Sequence, residues 1–427
     1  MIIVDSALKK REAEGNPIKV GVIGAGYMGR GLVLQIITAI PGMEVAAVSN
    51  RTISKAATAY HQAEVEDIAT VTTVGQLEDA ISKGKPAITD DPLLLCQAEG
   101  IEAIVEATGE VEFGAKVVLE AIKHGKHVIL MNAELDAVVG PILKEYADKA
   151  GVVITNVDGD QPGVIMNLLR WVETIGYRPV LAGNIKGLQD HYRTPETQKG
   201  FAENVKQDVK MITSFADGTK ISMEMAVVAN ATGFTTGKRG MYGPTCSHVT
   251  EAPKLFPMDQ MMDTGLVDYI LGAEPAPGVF ILGYNEHPIQ RQYLNYYKMG
   301  EGPLYTFYTP YHLCHLEAPL TAARAVLFQD AACAPIGPPV CDVITVAKKD
   351  LVKGELLDGI GGFATYGMLE KSPICSHEKL LPMGLSEGCK VKRNISQDQA
   401  ISYGDVEVPA GRLVDTLRRE QEKVFAA

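Results

Sequence analysis

The chain has 427 residues, 46% of them hydrophobic and 22% charged, with a formal net charge of −12. That length calls for two or three domains rather than one core, and the composition is that of a globular protein. The acidic balance argues against nonspecific binding to nucleic acid or to an anionic membrane, and no run approaches the ~18 uncharged apolar residues of a membrane span.

Residues 1–16 read as a leading amphipathic helix. Lys9, Lys10 and Arg11 follow its apolar run, the wrong order for a secretory signal, so a cytoplasmic protein is expected. Residues 18–29 then read as an apolar strand, a glycine turn and a helix start, the context a G-x-G-x-x-G motif requires. Gly24 lets the chain turn, Gly26 lets a pyrophosphate approach the backbone, and Gly29 lets the helix pack close to the sheet. Tyr27 and Met28 lie in the first helical turn, whose N–H groups face an anion. The second strand ends in Ser49, Asn50, Arg51 and Thr52. No carboxylate stands there to grip a ribose 2′-hydroxyl, whereas Arg51 suits a 2′-phosphate, so NADP (NADPH) is expected over NAD.

Residues 65–95 are polar and read as an insertion. A buried strand at 101–109 ends in the turn Thr108-Gly109. A helix at 114–123, a strand at 127–131, a helix at 140–150 and a strand at 152–155 follow. The alternation predicts an α/β fold with a doubly wound parallel sheet, a Rossmann domain. Ligands bind such sheets at the carboxyl ends of the strands. That rim collects Thr108, Gly109, Asn132, Glu134, Asp158 and Asp160.

Strand-like runs at 180–185, 209–215 and 222–228 predict an antiparallel-sheet substrate domain. A helix at 320–328 is expected to return to the first domain. Short β runs at 343–347, 380–383 and 390–393 predict a small all-β module, closed by a charged helix at 412–424. The domains are then 1–16, 17–160, 161–338 (α+β, catalytic and oligomerising) and 339–427. Seven cysteines, odd in number and without a C-x-x-C pair, read as buried reduced thiols.

Four groups of residues can carry chemistry. Asn132 can bond a substrate hydroxyl or a carboxamide, and Glu134 suits an acid/base or a first-turn helix carboxylate. Asp158 and Asp160 can bind a cation or share proton transfer, although Asp160, before Gln161-Pro162, equally suits a helix cap. Of the two, Asp160 is the favoured functional carboxylate. Asn230 precedes a glycine-rich loop in which Lys238 and Arg239 can cradle a phosphate, or simply be solvated. In the Gly- and Tyr-rich stretch 297–313, Lys298 can bind an anion and His312 can move a proton, or the stretch can be aromatic packing.

Two resemblances follow from these motifs. Ile18-Lys-Val-Gly-x-Ile-Gly-Ala-Gly-x-Met-Gly29 and Gly125-Lys-His-Val-Ile-Leu-Met-Asn132 resemble homoserine-dehydrogenase-like proteins. The Asn132-Ala133 pair departs from the Asn-Lys of those enzymes, and their Asn-Gly-Thr-Thr-Asn run is absent. Over nearly the whole chain the sequence resembles the 1-deoxy-D-xylulose 5-phosphate reductoisomerase-like (DRL-type) group. Thr89-Asp-Asp91, Glu106-Ala-Thr-Gly109, Ala229-Asn-Ala-Thr-Gly233, Met241-x-Gly-Pro244, Pro277-Gly-Val-Phe280, Lys298-x-Gly-x-Gly-Pro303, Pro310-Tyr-His-Leu313 and Val346-Ala-Lys-Lys-Asp350 carry it.

The second resemblance implies a homoserine-dehydrogenase-like body with a C-terminal SAF-type β-clip module. It implies an NADPH-dependent reductoisomerase that rearranges 1-deoxy-D-xylulose 5-phosphate and reduces the aldehyde to 2-C-methyl-D-erythritol 4-phosphate, a step toward isoprenoids. Asp160 and Glu134 would do acid/base or metal work. Lys186, Lys238, Arg239 or Lys298 would hold the phosphate, and Asn132, Asn230 and His312 would position oxygens. The need for Mg²⁺ or Mn²⁺ stays open. The expected partner is a small phosphorylated sugar, with no nucleic acid or membrane, and the expected assembly is a homo-oligomer, dimer or tetramer. An NAD(P)-dependent dehydrogenase of another sugar phosphate or sugar acid, a homoserine-dehydrogenase-like activity, and an NADP-bound sensor or scaffold are the alternatives.

Overall fold

The structure is a computed structural model that describes residues 2–426. The first stretch runs α1 (Ile2–Ala13), β1 (Ile18–Ile23), α2 (Tyr27–Ala39), β2 (Met43–Ser49), α3 (Ile53–His61), β3 (Ala69–Thr70), α4 (Val74–Ser82) and β4 (Ala87–Thr89). It continues through α5 (Leu93–Gln97), β5 (Ala103–Glu106), α6 (Val111–Lys123), β6 (His127–Leu130), α7 (Ala133–Ala150) and β7 (Ile154–Asn156). Next come α8 (Gln161–Thr174), β8 (Arg178–Lys186), α9 (Pro195–Val205), α10 (Val209–Asp217), α11 (Thr219–Thr232), α12 (Met258–Asp263), β9 (Leu266–Leu271), β10 (Gly278–Tyr284), α13 (Pro288–Tyr296) and β11 (Leu304–Thr309). The last stretch holds α14 (Cys314–Phe328), β12 (Cys341–Ala347), β13 (Thr365–Lys371), α15 (Ser372–Glu378), β14 (Lys390–Val391), β15 (Val406–Glu407) and α16 (Leu413–Val424).

The chain divides into two compact units. Unit 1 takes residues 1–160, 313–334 and 416–424. Its parallel sheet has the order β3-β4-β2-β1-β5-β6-β7. The strand order reverses between β1 and β5, and the carboxyl-end crevice beside that reversal is where doubly wound sheets take their ligands. Val20 and Val22 of β1, Val105 of β5 and Leu32 of α2 lie in one core with Ala318, Ala322 and Ala325 of α14. Gly31 of α2 allows the close approach of α14, since a Cβ there would come within 2.7 Å of His315. Val4 and Leu8 of α1 join the same core.

Three local expectations for this unit fail. Residues 65–95 are no insertion, because β4 pairs with β2 (Ala47 to Ala87, Ser49 to Thr89) and β3 pairs with β4. Strands of two and three residues are too short to show a period. The helix expected at 140–150 starts earlier, at Ala133. The Asn132 side chain accepts the Leu135 N–H at 3.1 Å and caps it, while Gly140-Pro141, which reads as a helix start, lies inside the helix. The closing helix does not belong wholly to the C-terminal module, for residues 416–424 are part of unit 1. There the buried Gln421 inserts into α7 beside Pro141, accepting the Ile142 N–H at 3.2 Å and donating to Val138 O at 3.4 Å. A proline opens the backbone ladder of a helix, and Gln421 together with Arg418, which donates to Val138 O at 3.1 Å, fills the opening.

Unit 2 takes residues 161–312, 335–415 and 425–427. Its main sheet, β11-β10-β8-β9, is mixed rather than antiparallel, because β8 and β9 run parallel. The runs at 209–215 and 222–228 are helices, not strands. Asp208 caps α10 by accepting the N–H groups of Lys210 and Met211. From Thr219 to Ala231 every residue of α11 is buried. A helix buried on all faces shows no exposed polar stripe, so it reads as a buried strand. β12 and β13 pair antiparallel, and so do β14 and β15. No helix of the described residues is long and apolar enough to cross a membrane, and none of the seven cysteines forms a disulfide.

Candidate functional site

In unit 1 the glycine loop joins β1 to α2. Gly24 has φ +105°, and a Cβ there would press to 2.8 Å from Ala107 O. A Cβ on Gly29 would sit 1.9 Å from Gly24 O, so helix and turn close only around glycine. Gly26 differs, since a Cβ there would meet nothing within 4 Å. Packing does not demand that glycine, which agrees with a backbone kept clear for a ligand. No side chain caps α2, so the N–H groups of its first turn, at Tyr27, Met28 and Gly29, are available to an anion. These residues fit a dinucleotide pyrophosphate.

The end of β2 braces the loop. Ser49 O accepts the Gly24 N–H at 2.9 Å. Asn50 Oδ1 accepts the Ala25 N–H at 3.1 Å, and Asn50 Nδ2 donates to Thr52 O at 3.0 Å. Asn50 is therefore a brace, and Arg51 beside it is exposed.

At the ends of β5 and β6 a closed network forms. Glu106, fully buried, accepts from the Thr108 hydroxyl, from the Thr108 N–H at 2.9 Å and from Asn132 Nδ2 at 2.7 Å. Burial pushes the Glu106 carboxyl up, the Thr108 and Asn132 bonds pull it back, and Glu134 adds to the rise. Asn132 also donates to Glu110 O at 3.2 Å. Its amide thus shapes the turn Thr108-Gly109 and the start of α7 rather than reaching for substrate. Glu134 is buried in the first turn of that helix. The sequence places Glu106 in a family motif but gives it no role, although a carboxylate in an otherwise apolar strand is the signal that marks it.

Asp158 and Asp160 are both buried. Asp158, 1% exposed, pairs with the Arg324 guanidinium and accepts the Thr321 hydroxyl at 2.8 Å. It is a structural anion that ties the turn after β7 to α14. Among the described residues no three His, Cys, Asp or Glu side chains gather as a metal site.

Unit 2 brings other groups together. Lys186 at the end of β8 lies 3.6 Å from Glu224 of α11 and 3.3 Å from the Gln161 side chain. Asn184 Nδ2 donates to Glu224 at 3.1 Å. The Gln161 amide turns its nitrogen to the Glu224 carboxylate and its oxygen to Lys186, because two oxygens would repel there. Glu224, Gln161 and Asn184 are buried, while the Lys186 side chain keeps 16% exposure. A cation with transferable protons is thus held by a buried carboxylate among amide dipoles, an arrangement suited to proton transfer. Of these, only Lys186 was singled out from the sequence. Glu224 was hidden by the strand-like look of α11.

The other predicted groups of unit 2 scatter. Arg239 is corrected from a phosphate ligand to a structural cation, since Glu370 at 2.6 Å and Glu378 at 2.8 Å neutralise it. Lys238 lies 5.3 Å over the Tyr242 ring. Asn230 is not at a strand end but in α11, where its Oδ1 accepts the N–H groups of Val340 at 2.7 Å and Cys341 at 3.2 Å. Lys298 is exposed after α13 with φ +63°, and His312 is half-buried in the loop after β11. Asp268 of β9, buried, holds the loop at 242–243 by accepting its N–H groups at 2.8 and 2.9 Å. Burial pushes its carboxyl up to about 6.

Residues 18–131 match the oxidoreductase family with an NAD-binding Rossmann fold. That segment of unit 1 is therefore similar to the nicotinamide-binding part of such oxidoreductases. Residues 159–318, which hold the Lys186–Glu224 cluster, match the catalytic domain of oxidoreductase DRL. Over 215 residues the chain is 26% identical to a homoserine dehydrogenase of Methylobacillus glycogenes, covering 48% of this chain and 47% of that one. Over 136 residues it is 27% identical to the homoserine dehydrogenase of Neisseria gonorrhoeae strain ATCC 700825 / FA 1090, covering 31% of each. The chain thus spans about half or less of these relatives. Among solved structures it is similar to a probable dehydrogenase from Thermotoga maritima (14% identity, 62% of this chain and 64% of that one, TM-score 0.33). It is also similar to a scyllo-inositol dehydrogenase from Lactobacillus casei (15% identity, 62% and 73%, TM-score 0.36).

Proposed function

We propose that the chain is an NADPH-dependent oxidoreductase of a small phosphorylated sugar, with 1-deoxy-D-xylulose 5-phosphate as the substrate to try first. The observation that carries this reading is the partly open Lys186 held by the buried Glu224, Gln161 and Asn184 inside the segment that matches the DRL catalytic domain. The uncapped start of α2 supports the cofactor, and Arg51 at a strand end without a carboxylate supports its 2′-phosphate. When bound, the nicotinamide supplies or accepts a hydride.

The residues of unit 2 then manage the oxygen and its proton. Reduction of a carbonyl adds one hydride to carbon and one proton to oxygen. In this reading Lys186 Nζ holds that proton and gives it to the oxygen as negative charge develops there. Glu224 aims the Lys186 side chain, and Asn184 with Gln161 orient the substrate oxygens. Lys238 and Lys298 remain the cations for the phosphate group, Arg239 being neutralised within its own unit.

A second reading, plain dehydrogenation of another sugar phosphate or sugar acid, is favoured by the engagement of Asp158 with Arg324. A ketose rearrangement calls for two vicinal oxygens polarised together, and the cluster of unit 2 offers one cation. The test is consumption of NADPH and NADH, followed by near-ultraviolet absorbance, with 1-deoxy-D-xylulose 5-phosphate, with and without Mg²⁺ or Mn²⁺. Loss of absorbance supports the first reading. No loss rejects that substrate, and turnover on a panel of sugar phosphates and sugar acids then supports the second.

A further inference from the structure

Lys186 ends β8 and Glu224 lies within α11, and the segments that follow the one and precede the other meet one side chain of the C-terminal module. β8 runs from Lys186 into the loop 187–194, and α11, which carries Glu224, begins at Thr219. Lys348, directly after β12, is 4% exposed. Its ammonium donates to Arg193 O at 2.7 Å, Asp217 Oδ2 at 2.9 Å and Gly362 O at 2.7 Å. An ammonium has three donors, so Lys348 is spent on structure. Asp217 in turn accepts the Thr219 N–H at 2.9 Å, and the Thr219 hydroxyl accepts the Gly367 N–H of β13 at 2.8 Å. The loop after Lys186 and the start of the Glu224 helix are thus tied to the same strand pair.

The loop is gripped a second time. The Tyr192 hydroxyl donates to Asp398 Oδ2 at 2.9 Å, and the Tyr366 hydroxyl of β13 donates to Asp398 Oδ1 at 3.0 Å. The His191 ring stacks on Tyr366 with centroids 4.5 Å apart, and its Nδ1 lies 2.7 Å from Asp217 O. A carbonyl only accepts, so Nδ1 carries the proton. Asp398 holds this grip with φ +64°, in the left-handed region that residues other than glycine seldom adopt.

We infer that the C-terminal β module is a scaffold that positions the Lys186–Glu224 pair, with Lys348 and Asp398 as its positioning residues. The inference rests on the reading that this pair acts on substrate. Replacing Lys348 would strand the buried Asp217 and endanger the fold, so the discriminating variants lie at the exposed Asp398. Asp398→Gly keeps the left-handed backbone and removes both acceptors. Asp398→Asn keeps that backbone and a side chain able to bond both phenols.

In the full-length protein, Asp398→Gly is expected to stay folded by circular dichroism and to exchange the amide hydrogens of 187–194 and 217–222 faster than wild type. Its kcat with NADPH and 1-deoxy-D-xylulose 5-phosphate should fall about 10- to 100-fold, the cost of a small misplacement of catalytic groups. The KM for NADPH should not change, and Asp398→Asn should restore both properties. Unchanged exchange in Asp398→Gly overturns the inference, and so does faster exchange with unchanged kcat. Failure of the underlying reading shows differently, as wild-type turnover in Lys186→Met.

Discussion

Arg324→Met separates a structural anion from a catalytic one at the turn after β7. Arg324 is 3% exposed and Asp158 1%. The guanidinium bonds Asp158 on one side and Asp330 on the other, the latter at 2.7 Å. Asp330 keeps 34% side-chain exposure, so water can replace its lost partner at a cost of about 0–1 kcal/mol. Asp158 has no such recourse. Breaking a buried pair by removing one partner costs about 3–5 kcal/mol. At about 2–4 °C per kcal/mol for a domain of 150–250 residues, the midpoint of unit 1 should fall by roughly 6–20 °C. Asp158→Asn combined with Arg324→Met removes both charges and leaves a side chain that still meets Thr321. It should return to within about 1–2 kcal/mol of wild type. Thermal and urea unfolding of the wild type, both single variants and the double variant gives the coupling energy. A single variant as stable as wild type, or a double variant no better than Arg324→Met, would refute the assignment of Asp158 as a structural anion. Wherever the wild type shows activity, the double variant should also keep the wild-type response to Mg²⁺ and Mn²⁺.

Gly29→Ala should abolish binding of NADPH, read as loss of its fluorescence change on titration, because the new Cβ would lie 1.9 Å from Gly24 O. Asp136 of α7 is buried, which pushes its carboxyl from an ordinary 3.8 up to about 7. A carboxyl raised on folding stabilises fully below its unfolded value and loses that contribution as pH rises through its folded value. Unit 1 should therefore weaken between about pH 4 and 7, by on the order of 4 kcal/mol at most, and urea unfolding of Asp136→Asn should show a flatter profile. Arg239→Ala should leave the KM for a phosphorylated substrate unchanged while lowering the thermal midpoint, since the buried Glu370 loses its partner at a cost of about 1–3 kcal/mol. Gln421→Met should cost about as much, 1–3 kcal/mol, by leaving the Ile142 N–H unmet inside α7, with faster hydrogen exchange at that amide as its signature.

The doubly wound sheet of unit 1 was legible because its signals are local. Val20, Val22 and Ile23 announce a buried strand, and the three glycines announce the turn that must follow it. The same local reading failed at α11. Its residues are buried on every side, so no polar stripe reports the helical period, and Glu224 passed unnoticed within an apparent strand. It failed again at Gly140-Pro141, where the helix continues past a proline because Gln421, 280 positions downstream of Pro141, fills the opened ladder. Asn132 was chosen as a polar group on the rim, and on the rim it stands, yet its amide is spent on Glu106 and on the cap of α7.

The sequence by itself determined the class of fold and the place of the glycine loop, since strand period, turn and helix start are set by neighbours within a few residues. Tertiary structure decided what each charge is for. Asp158 meets Arg324 across 166 positions and Lys348 meets Asp217 across 131, while Arg239 is claimed by Glu370 and Glu378. A charge in a sequence has no partner until the chain folds. Whether it becomes a buried clamp or stays partly open, as Lys186 does, depends on which distant residues the fold packs beside it.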